Sequence, residues 1–214
     1  MLQKLPESVG EALHNQRAGL KHTVFQRMPR LADTAQITVR STAFDSEKSL
    51  AVKYTADGAG ISPPLEWSAV PETAACVVVV VEDADSPTPN PLVHAIVVNL
   101  DPQQRFLSEA ALMSPDHEGT GLQTGRNSYL THAWLPPDPP PGHGPHRYVF
   151  QVFALGDGAR FSAVPGRHEV FRAIEDHVVG AGYAIGIYER AQRIPTEERE
   201  EETADESFVV GAPA

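Results

Sequence analysis

The stretch that decides the fold reads VVVVVEDADSP at residues 77–87 and HAIVVNL at residues 94–100. Both halves contain a short apolar run rich in β-branched residues, with Asp, Asn or Pro close to its end. Runs of this kind are typical of strands that are buried on both faces of a sheet. The sequence therefore predicts two central strands that flank a loop containing Pro87, Pro89 and Pro91.

Polar side chains stand where these two strands meet the loop. Asp83 and Asp85 are two residues apart, so an extended backbone would direct both carboxylates to one side. His94 opens the returning strand and is expected at the same end of the sheet. Buried polar groups are costly unless they bind one another or a ligand. The three residues therefore define a candidate site, although Asp85 equally suits a cap for the turn before Pro87.

A third predicted strand adds two candidates. The sequence HRYVFQVFAL at residues 146–155 alternates as a strand does, and it places His146 and Tyr148 on one face. The remaining histidines have no motif around them. We interpret them as surface or packing residues: His14, His22, His117, His132, His143, His168 and His177.

Three kinds of chemistry suit these residue types. Two histidines and two carboxylates suit a zinc or iron site, but no tight His-x-His or His-x-x-x-His spacing is present. A carboxylate–histidine pair can activate water for hydrolysis, but the nucleophile motif Gly-x-Ser-x-Gly is absent, and Cys76 precedes an apolar run in which a thiol is usually inert. Imidazoles and a tyrosine hydroxyl can also hold phosphate oxygens while a carboxylate orients them. We favour this last interpretation, the binding of a small anion or zwitterion.

Several motifs in sequence order resemble the phosphatidylethanolamine-binding protein family, also called Raf kinase inhibitor-like proteins, and its bacterial branch in particular. They are Asp-x-Asp-x-Pro at 83–87, the histidine-led strand at 94–100, DGAGISPPLEWSAVP at 57–71, GRNS at 125–128 and the His-x-Tyr strand at 146–155. The closing strand, with Gly-x-Tyr-Glu-Arg at 186–190, matches as well. The resemblance spans residues 37–190.

This resemblance implies a mostly β fold, in which a central antiparallel sheet packs on a smaller sheet as a β-sandwich with peripheral helices. It implies a binding protein rather than an enzyme, with no cofactor and no metal. The ligand would be a phosphorylated or anionic small molecule such as a phospholipid headgroup. The implied ligand-binding residues are Asp83, Asp85, His94, Pro140, His146 and Tyr148. Because the family includes inhibitors of kinases and proteases, regulation of such an enzyme is the alternative function.

The proline-rich segment LPPDPPPG at residues 135–142 departs from the family pattern. Where the family usually has Tyr-x-Gly-Pro-x-Pro-Pro-x-Gly, this chain has Trp134 in place of the Tyr and Pro136 in place of the Gly. The resemblance implies that this loop walls the ligand pocket, but the two changes leave its path open. Taken by itself, the segment would be a stiff polyproline-like loop or a Pro-x-x-Pro ligand for a partner.

The N-terminal region predicts a helix over residues 8–28, with Ser8 as N-cap, Glu11 completing a capping box, and an end before Pro29. This helix would pack on the sheet or form a homodimer contact. Other predictions are a strand over 37–44, a turn or hairpin at Asp57-Gly58, and a loop over 101–124. The C-terminal part predicts a helix over 167–179 that Gly180 ends, and a last strand over 183–188.

Length and charge set the organisation of the chain. Its 214 residues suit one domain at 36–194, preceded by a helical extension at 1–35. A tail at 195–214 follows, in which residues 197–206 hold seven acidic residues against one arginine, a pattern typical of disorder. Of the net charge of −11, residues 197–206 hold −6, and the −5 of the remaining chain argues against non-specific nucleic-acid binding. With no apolar run long enough for a membrane span and no secretory signal, the sequence predicts a cytoplasmic protein.

Overall fold

Four long strands form the centre of the main sheet. In the computed structural model, which describes residues 6–29, 33–112 and 121–190, these strands are β5 (Cys76–Asp83), β6 (Leu92–Leu100), β9 (His146–Leu155) and β10 (Val178–Tyr188). They lie in the order β10-β9-β5-β6, and every neighbouring pair is antiparallel. The central strands that the valine-rich stretch and the His-x-Tyr strand predict are therefore confirmed.

Short strands complete the two sheets. The main sheet gains β1 (Ala35–Gln36) and β3 (Lys48–Ser49), both parallel to β10, and β8 (Gln123–Thr124), antiparallel to β6. The second sheet consists of β2 (Val39–Arg40), β4 (Leu65–Trp67) and β7 (Phe106–Leu107). The architecture is thus the expected mostly β fold with a larger and a smaller sheet, and the α-helices among the described residues are α1 (Glu7–Leu13) and α2 (Arg167–His177).

The valine run is buried on both faces because each face of β5 meets a different layer. Val77, Val79 and Val81 pack into the core between the two sheets, which includes Trp67 and Phe150. On the other face, the even-numbered valines meet α2 and the N-terminal segment in a second core that contains Val24, Val80 and Ile174. Since successive side chains of a strand point to opposite faces, a continuous apolar run is what this position between two layers requires.

The predicted N-terminal helix over 8–28 is wrong for most of its length. The α-helix ends at Leu13, and short 3₁₀ turns follow at Leu20–His22 and Phe25–Arg27. Gly19 has a φ of 91°, and its N–H donates to the carbonyl of Ala84 at the end of β5 rather than along a helix. The capping box is absent too, because Pro6 is the N-cap and makes no side-chain cap hydrogen bond.

Three further local predictions need correction. Of residues 37–44 only Val39–Arg40 is a strand. The turn predicted at Asp57-Gly58 is confirmed, without a hairpin around it, and the N–H of Gly58 closes it on the carbonyl of Thr55. The helix at 167–179 ends at His177, because β10 begins at Val178 and includes Gly180. The last strand is therefore longer than the predicted 183–188. The apolar pattern was correct at these places, but tertiary pairing set the boundaries.

Some predictions cannot be compared with the structure. The acidic tail at 195–214 lies outside the described residues, as does the middle of the 101–124 loop, while β7 and β8 occupy two short parts of that loop. The domain boundaries and the homodimer contact stay predictions. None of the helices in the described ranges is long and apolar enough to cross a bilayer.

Candidate functional site

A small cavity opens at the edge of the main sheet where β5 ends and where β6 and β9 begin. It contains about 330 Å³ of empty space, counting its open mouth. The side chains around it come from the strand ends, the loop after β5, the turn after β8 and the proline-rich segment: Asp83, Ser86, Pro87, Leu92, His94, Tyr129, Leu135, Pro136, Asp138, Pro139, Pro140 and His146. Antiparallel pairing explains the convergence, because Asp83 is in register with both Leu92 and Tyr148.

His94 lines this cavity, and one of its ring nitrogens has no hydrogen-bond partner among the described residues. Its ring is 3% exposed, and Nδ1 lies 2.6 Å from the carbonyl oxygen of Leu135. Because a carbonyl can only accept, Nδ1 carries the proton and donates it. Nε2 is buried and has no hydrogen-bond partner among the residues that the structure describes. Burial lowers the pKa of His94, and the negative charge of Asp83 offsets this effect only in part. At neutral pH in the free protein, Nε2 of His94 therefore carries a lone pair and no proton.

His146 uses both of its ring nitrogens within the protein. Nδ1 lies 2.8 Å from Asp83 Oδ2, and Nε2 lies 2.7 Å from Nδ1 of His143. Asp83 also accepts the N–H of Asp85 on Oδ1. His146 borders the cavity, yet it has no N–H left over for a ligand oxygen. It would therefore act on a ligand through its ring and through its bond to Asp83.

The structure separates the two aspartates that the sequence placed side by side. The strand ends at Asp83, and the chain turns there, so the Asp85 side chain leaves the cavity. Its carboxylate is bound by Arg147 Nε at 2.7 Å and lies 3.2 Å from Arg17 Nη1. Although burial acts to raise it, the hydrogen bonds from Arg147 and Arg17 lower the pKa of Asp85. Asp83, not Asp85, caps the turn through its bond to the Asp85 N–H.

Tyr148 lies beside the histidines without bordering the cavity. Its ring packs edge-on against His94 at 5.1 Å and is stacked near His146 at 6.4 Å. Its hydroxyl is buried and unpaired within the described part of the chain. Burial raises the pKa of Tyr148 well above its ordinary value, so the hydroxyl keeps its proton. Tyr148 therefore supports the two imidazoles from the inter-sheet core.

The proline-rich segment forms one wall of the cavity, as the resemblance implied. Arg190 fixes this wall, since Nη1 donates to the Pro139 carbonyl at 2.6 Å and Nη2 pairs with Asp138 at 2.7 Å. Asp57 in turn accepts from Arg190 Nε. Trp134, the departure from the family pattern, is 7% exposed and stacks on Phe150 in the core, so it anchors the start of the loop.

Sequence reasoning missed two residues that shape the site. His143 was interpreted as a surface or packing residue, yet it is fully buried and bonded to His146. Arg190 had no assigned role. The only sequence signal for His143 is its place in Gly-His-Gly-Pro-His, three residues before His146. Nothing in that pattern indicates which partners a loop residue will meet.

The described ranges contain no arrangement of side chains that suits nucleophilic catalysis or metal binding. Cys76 stands at the first residue of β5, seven residues from Asp83 along the strand, and burial raises the pKa of its thiol. Among the residues that the structure describes, no group of three or more His, Cys, Asp or Glu side chains is arranged to hold a metal ion. The site consists of a small cavity, one imidazole nitrogen without a partner among the described residues, and two carboxylates that are already bonded, Asp83 to His146 and Asp138 to Arg190.

The fold and the site together define a mostly β protein of two sheets with a small cavity at the edge of the main sheet. The chain belongs to the phosphatidylethanolamine-binding protein family, whose model matches residues 40–189. It is 32% identical over 157 residues to a UPF0098 protein of Methanothermobacter thermautotrophicus, covering 72% of this chain and 99% of that protein. The family resemblance of the sequence motifs is thereby confirmed.

Two solved structures share the fold. The first is the phosphatidylethanolamine-binding protein homologue CT736 of Chlamydia trachomatis, which has a TM-score of 0.64 and 31% identity over 74% of this chain and 99% of that one. The second is YbcL of E. coli, described as a member of the mammalian family, with a TM-score of 0.67 and 27% identity over 73% of this chain and 100% of that one. The N-terminal segment that contacts His143 precedes the family match.

Proposed function

We propose that this protein binds a small phosphorylated or anionic molecule, such as a phospholipid headgroup, in the cavity beside His94. The observation that carries the proposal is that His94, which lines the cavity, has a buried Nε2 without a hydrogen-bond partner in the described part of the chain. A buried polar atom without a partner is destabilising, and a ligand oxygen would satisfy it. The two carboxylates of the cavity do not oppose an anion, since Asp83 pairs with His146 and Asp138 with Arg190.

Binding of an anion would draw a proton onto His94. With Nδ1 donating to Leu135, Nε2 can donate to an anionic oxygen only after it has taken up a proton. A hydrogen bond between a charged donor and an anion is stronger than a neutral one, so the bound anion would favour imidazolium. Affinity should therefore be highest at acid pH. It should decline with rising pH from a point below 6.5, because burial lowers the pKa of His94 in the free protein.

Calorimetric titration with inorganic sulfate, phosphate and phosphoethanolamine between pH 5 and 8 tests this proposal. Sulfate keeps its charge over this range, so its pH dependence reports the protein alone. We expect His94→Ala to weaken sulfate binding about 10- to 100-fold at pH 5.5, the range of a hydrogen bond to a charged group. His168→Ala, at an exposed histidine of α2, serves as the matched control and should bind as the wild type does. Equal affinity in the two variants would contradict the proposal.

A protein-binding role is a second candidate, and one observation favours it. Tyr129, which lines the cavity, is 47% exposed, and its neighbour Leu130 is 77% exposed. Leu130 has a φ of 63°, and the side-chain oxygen of Asn127 accepts the N–H groups of Tyr129 and Thr131, which holds this apolar lip in place. If the lip contacts a kinase or protease, Leu130→Ser should abolish inhibition of that enzyme and leave sulfate affinity unchanged. Inhibition assays on Leu130→Ser and on His94→Ala would separate the two functions.

A further inference from the structure

His143 links the N-terminal segment to the cavity. On one side, Nε2 of its fully buried ring lies 2.9 Å from the carbonyl oxygen of Leu13 and 3.2 Å from that of Gln16. On the other side, Nδ1 lies 2.7 Å from Nε2 of His146, whose Nδ1 contacts Asp83 at 2.8 Å. The three side chains therefore form one buried hydrogen-bonded row from the backbone after α1 to the cavity wall.

Hydrogen-bond direction fixes the number of protons in this row. His143 Nε2 meets only carbonyl oxygens, which accept, so it carries a proton. One proton must lie between the two imidazoles, and another must lie between His146 and Asp83. Two neutral imidazoles hold only two protons, so the third cancels the negative charge of the Asp83 carboxylate. The row as a whole is neutral.

The neighbouring charges decide which ring is the cation. His143 faces Arg17, whose Nη2 donates to the His143 carbonyl, and His14, whose ring lies 6.4 Å away. His146 instead faces the carboxylate of Asp83 directly, with Tyr148 and the neutral His94 as its other titratable neighbours. Burial lowers the pKa of His143, and the positive charges of His146 and Arg17 lower it further. The contact with the Asp83 carboxylate therefore favours the shared proton on the His146 side, with Nδ1 of His143 as its acceptor.

We propose that His143 is a positioning residue that holds the second proton on His146, so that the charge of Asp83 is cancelled and the cavity admits an anion. This inference rests on the proposed function, and it names the residue that sets the preference of the cavity for an anion. Without an acceptor at position 143, the buried His146 would lose its Nε2 proton, because a charged imidazole in a buried site needs hydrogen-bond partners. The Asp83 charge would then repel an anion.

The N-terminal segment is part of this arrangement. The backbone carbonyls of Leu13 and Gln16 fix the tautomer of His143, and the helix before them packs closely on the loop that carries it. A Cβ added at Gly10 would lie 1.8 Å from the carbonyl oxygen of Pro141, so only glycine permits this approach. These residues precede the family match at 40–189. The segment thereby controls the charge of a site that lies in the family domain.

Nitrogen-15 NMR of the histidine side chains in the full-length, ligand-free protein tests the proton placement. At pH 7 we expect both nitrogens of His146 to be protonated and only Nε2 of His143. In His143→Leu the Nε2 proton of His146 should be lost, whereas His143→Gln, whose side-chain oxygen can accept, should retain it. Gly10→Val should disturb the His143 and His146 signals, and Ala12→Val on the exposed side of the same helix should not.

Sulfate titration of the same variants at pH 7 measures the consequence. We expect His143→Leu to weaken binding about 10- to 100-fold, the effect of one uncompensated charge a few ångströms away, and His143→Gln to stay within about threefold of the wild type. A singly protonated His146 in the wild type, or an unchanged His146 in His143→Leu, would overturn the inference. If the NMR results hold while His94→Ala leaves sulfate binding unaffected, the proton placement stands and the proposed function fails.

Discussion

Glu82 allows the sharpest test of how this fold is held together. It is fully buried in β5, and its carboxylate accepts hydrogen bonds from three separate parts of the chain. The donors are the N–H of Val24 at 2.7 Å, Gln151 Nε2 at 2.9 Å and Arg167 Nε at 2.6 Å. One side chain therefore connects the N-terminal segment, the central strand β9 and the first turn of α2. We expect Glu82→Ala to loosen all three together.

The size of the effect follows from the burial of the donors. Removing the carboxylate leaves the Val24 N–H without an acceptor and takes one acceptor from the Gln151 amide. Each buried donor that is left unsatisfied costs about 1–3 kcal/mol. Arg167 is 21% exposed and still donates to the His22 carbonyl, so the loss of its bond to Glu82 costs less. Breaking a buried pair at one partner typically costs about 3–5 kcal/mol, and we expect Glu82→Ala to fall in that range.

Urea denaturation gives the free energy of unfolding for this comparison. Glu175→Ala is the matched control, since Glu175 also pairs with an arginine at 2.9 Å, but on the surface, with Arg172 63% exposed. Its loss should cost about 0.5 kcal/mol or less. The melting temperature of Glu82→Ala should be roughly 6–20 °C below that of the wild type. If Glu82→Ala does not fold, Glu82→Gln is the alternative variant. It keeps the side-chain volume but places an NH2 group against one of the donors, and it should lower the free energy of unfolding by about 1–3 kcal/mol. Equal costs for Glu82→Ala and Glu175→Ala would refute the reasoning.

Three further outcomes follow from the site. Because the pKa of Asp85 is lowered in the folded protein, its stabilisation is complete above about pH 4 and is lost as pH falls through the folded value; urea titrations should show that Asp85→Asn is less acid-dependent than the wild type. The pKa of His94 is also lowered, so its effect has the same sign in a higher pH window: stability should decrease as pH drops below about 6.5, and His94→Asn should lose this dependence, which thermal melts at a series of pH values check. Replacing Pro139 and Pro140 together by Ala should lower the free energy of unfolding by only about 1–2 kcal/mol, while calorimetry should show several-fold weaker sulfate binding, because the wall loses rigidity that binding must then restore. Unchanged affinity in that variant would mean that the loop is only structural.

Local sequence was sufficient for the centre of the fold. The valine run and the strand that begins at His146 are each buried on both faces, so their apolar pattern depends little on which neighbours they meet. The same runs end in polar residues at one edge of the sheet, which is why Asp83, His94 and His146 could be grouped before any coordinates were known. That they bind a ligand stays a prediction.

Only the tertiary structure decided how these polar residues divide their roles. Asp85 pairs with arginines that lie 62 and 68 residues away in sequence, and His143 meets carbonyls of the N-terminal segment about 130 residues away. Such residues lie in turns and loops, where no periodicity indicates a direction. The N-terminal segment buries Val24 in the core but does not form its predicted helix there, because Val24 and Phe25 donate their N–H groups to Glu82 and Gln151 instead of to a preceding turn. Hydrophobic patterning is a property of neighbouring residues, whereas the pairing of buried polar groups depends on which distant segments the fold brings together.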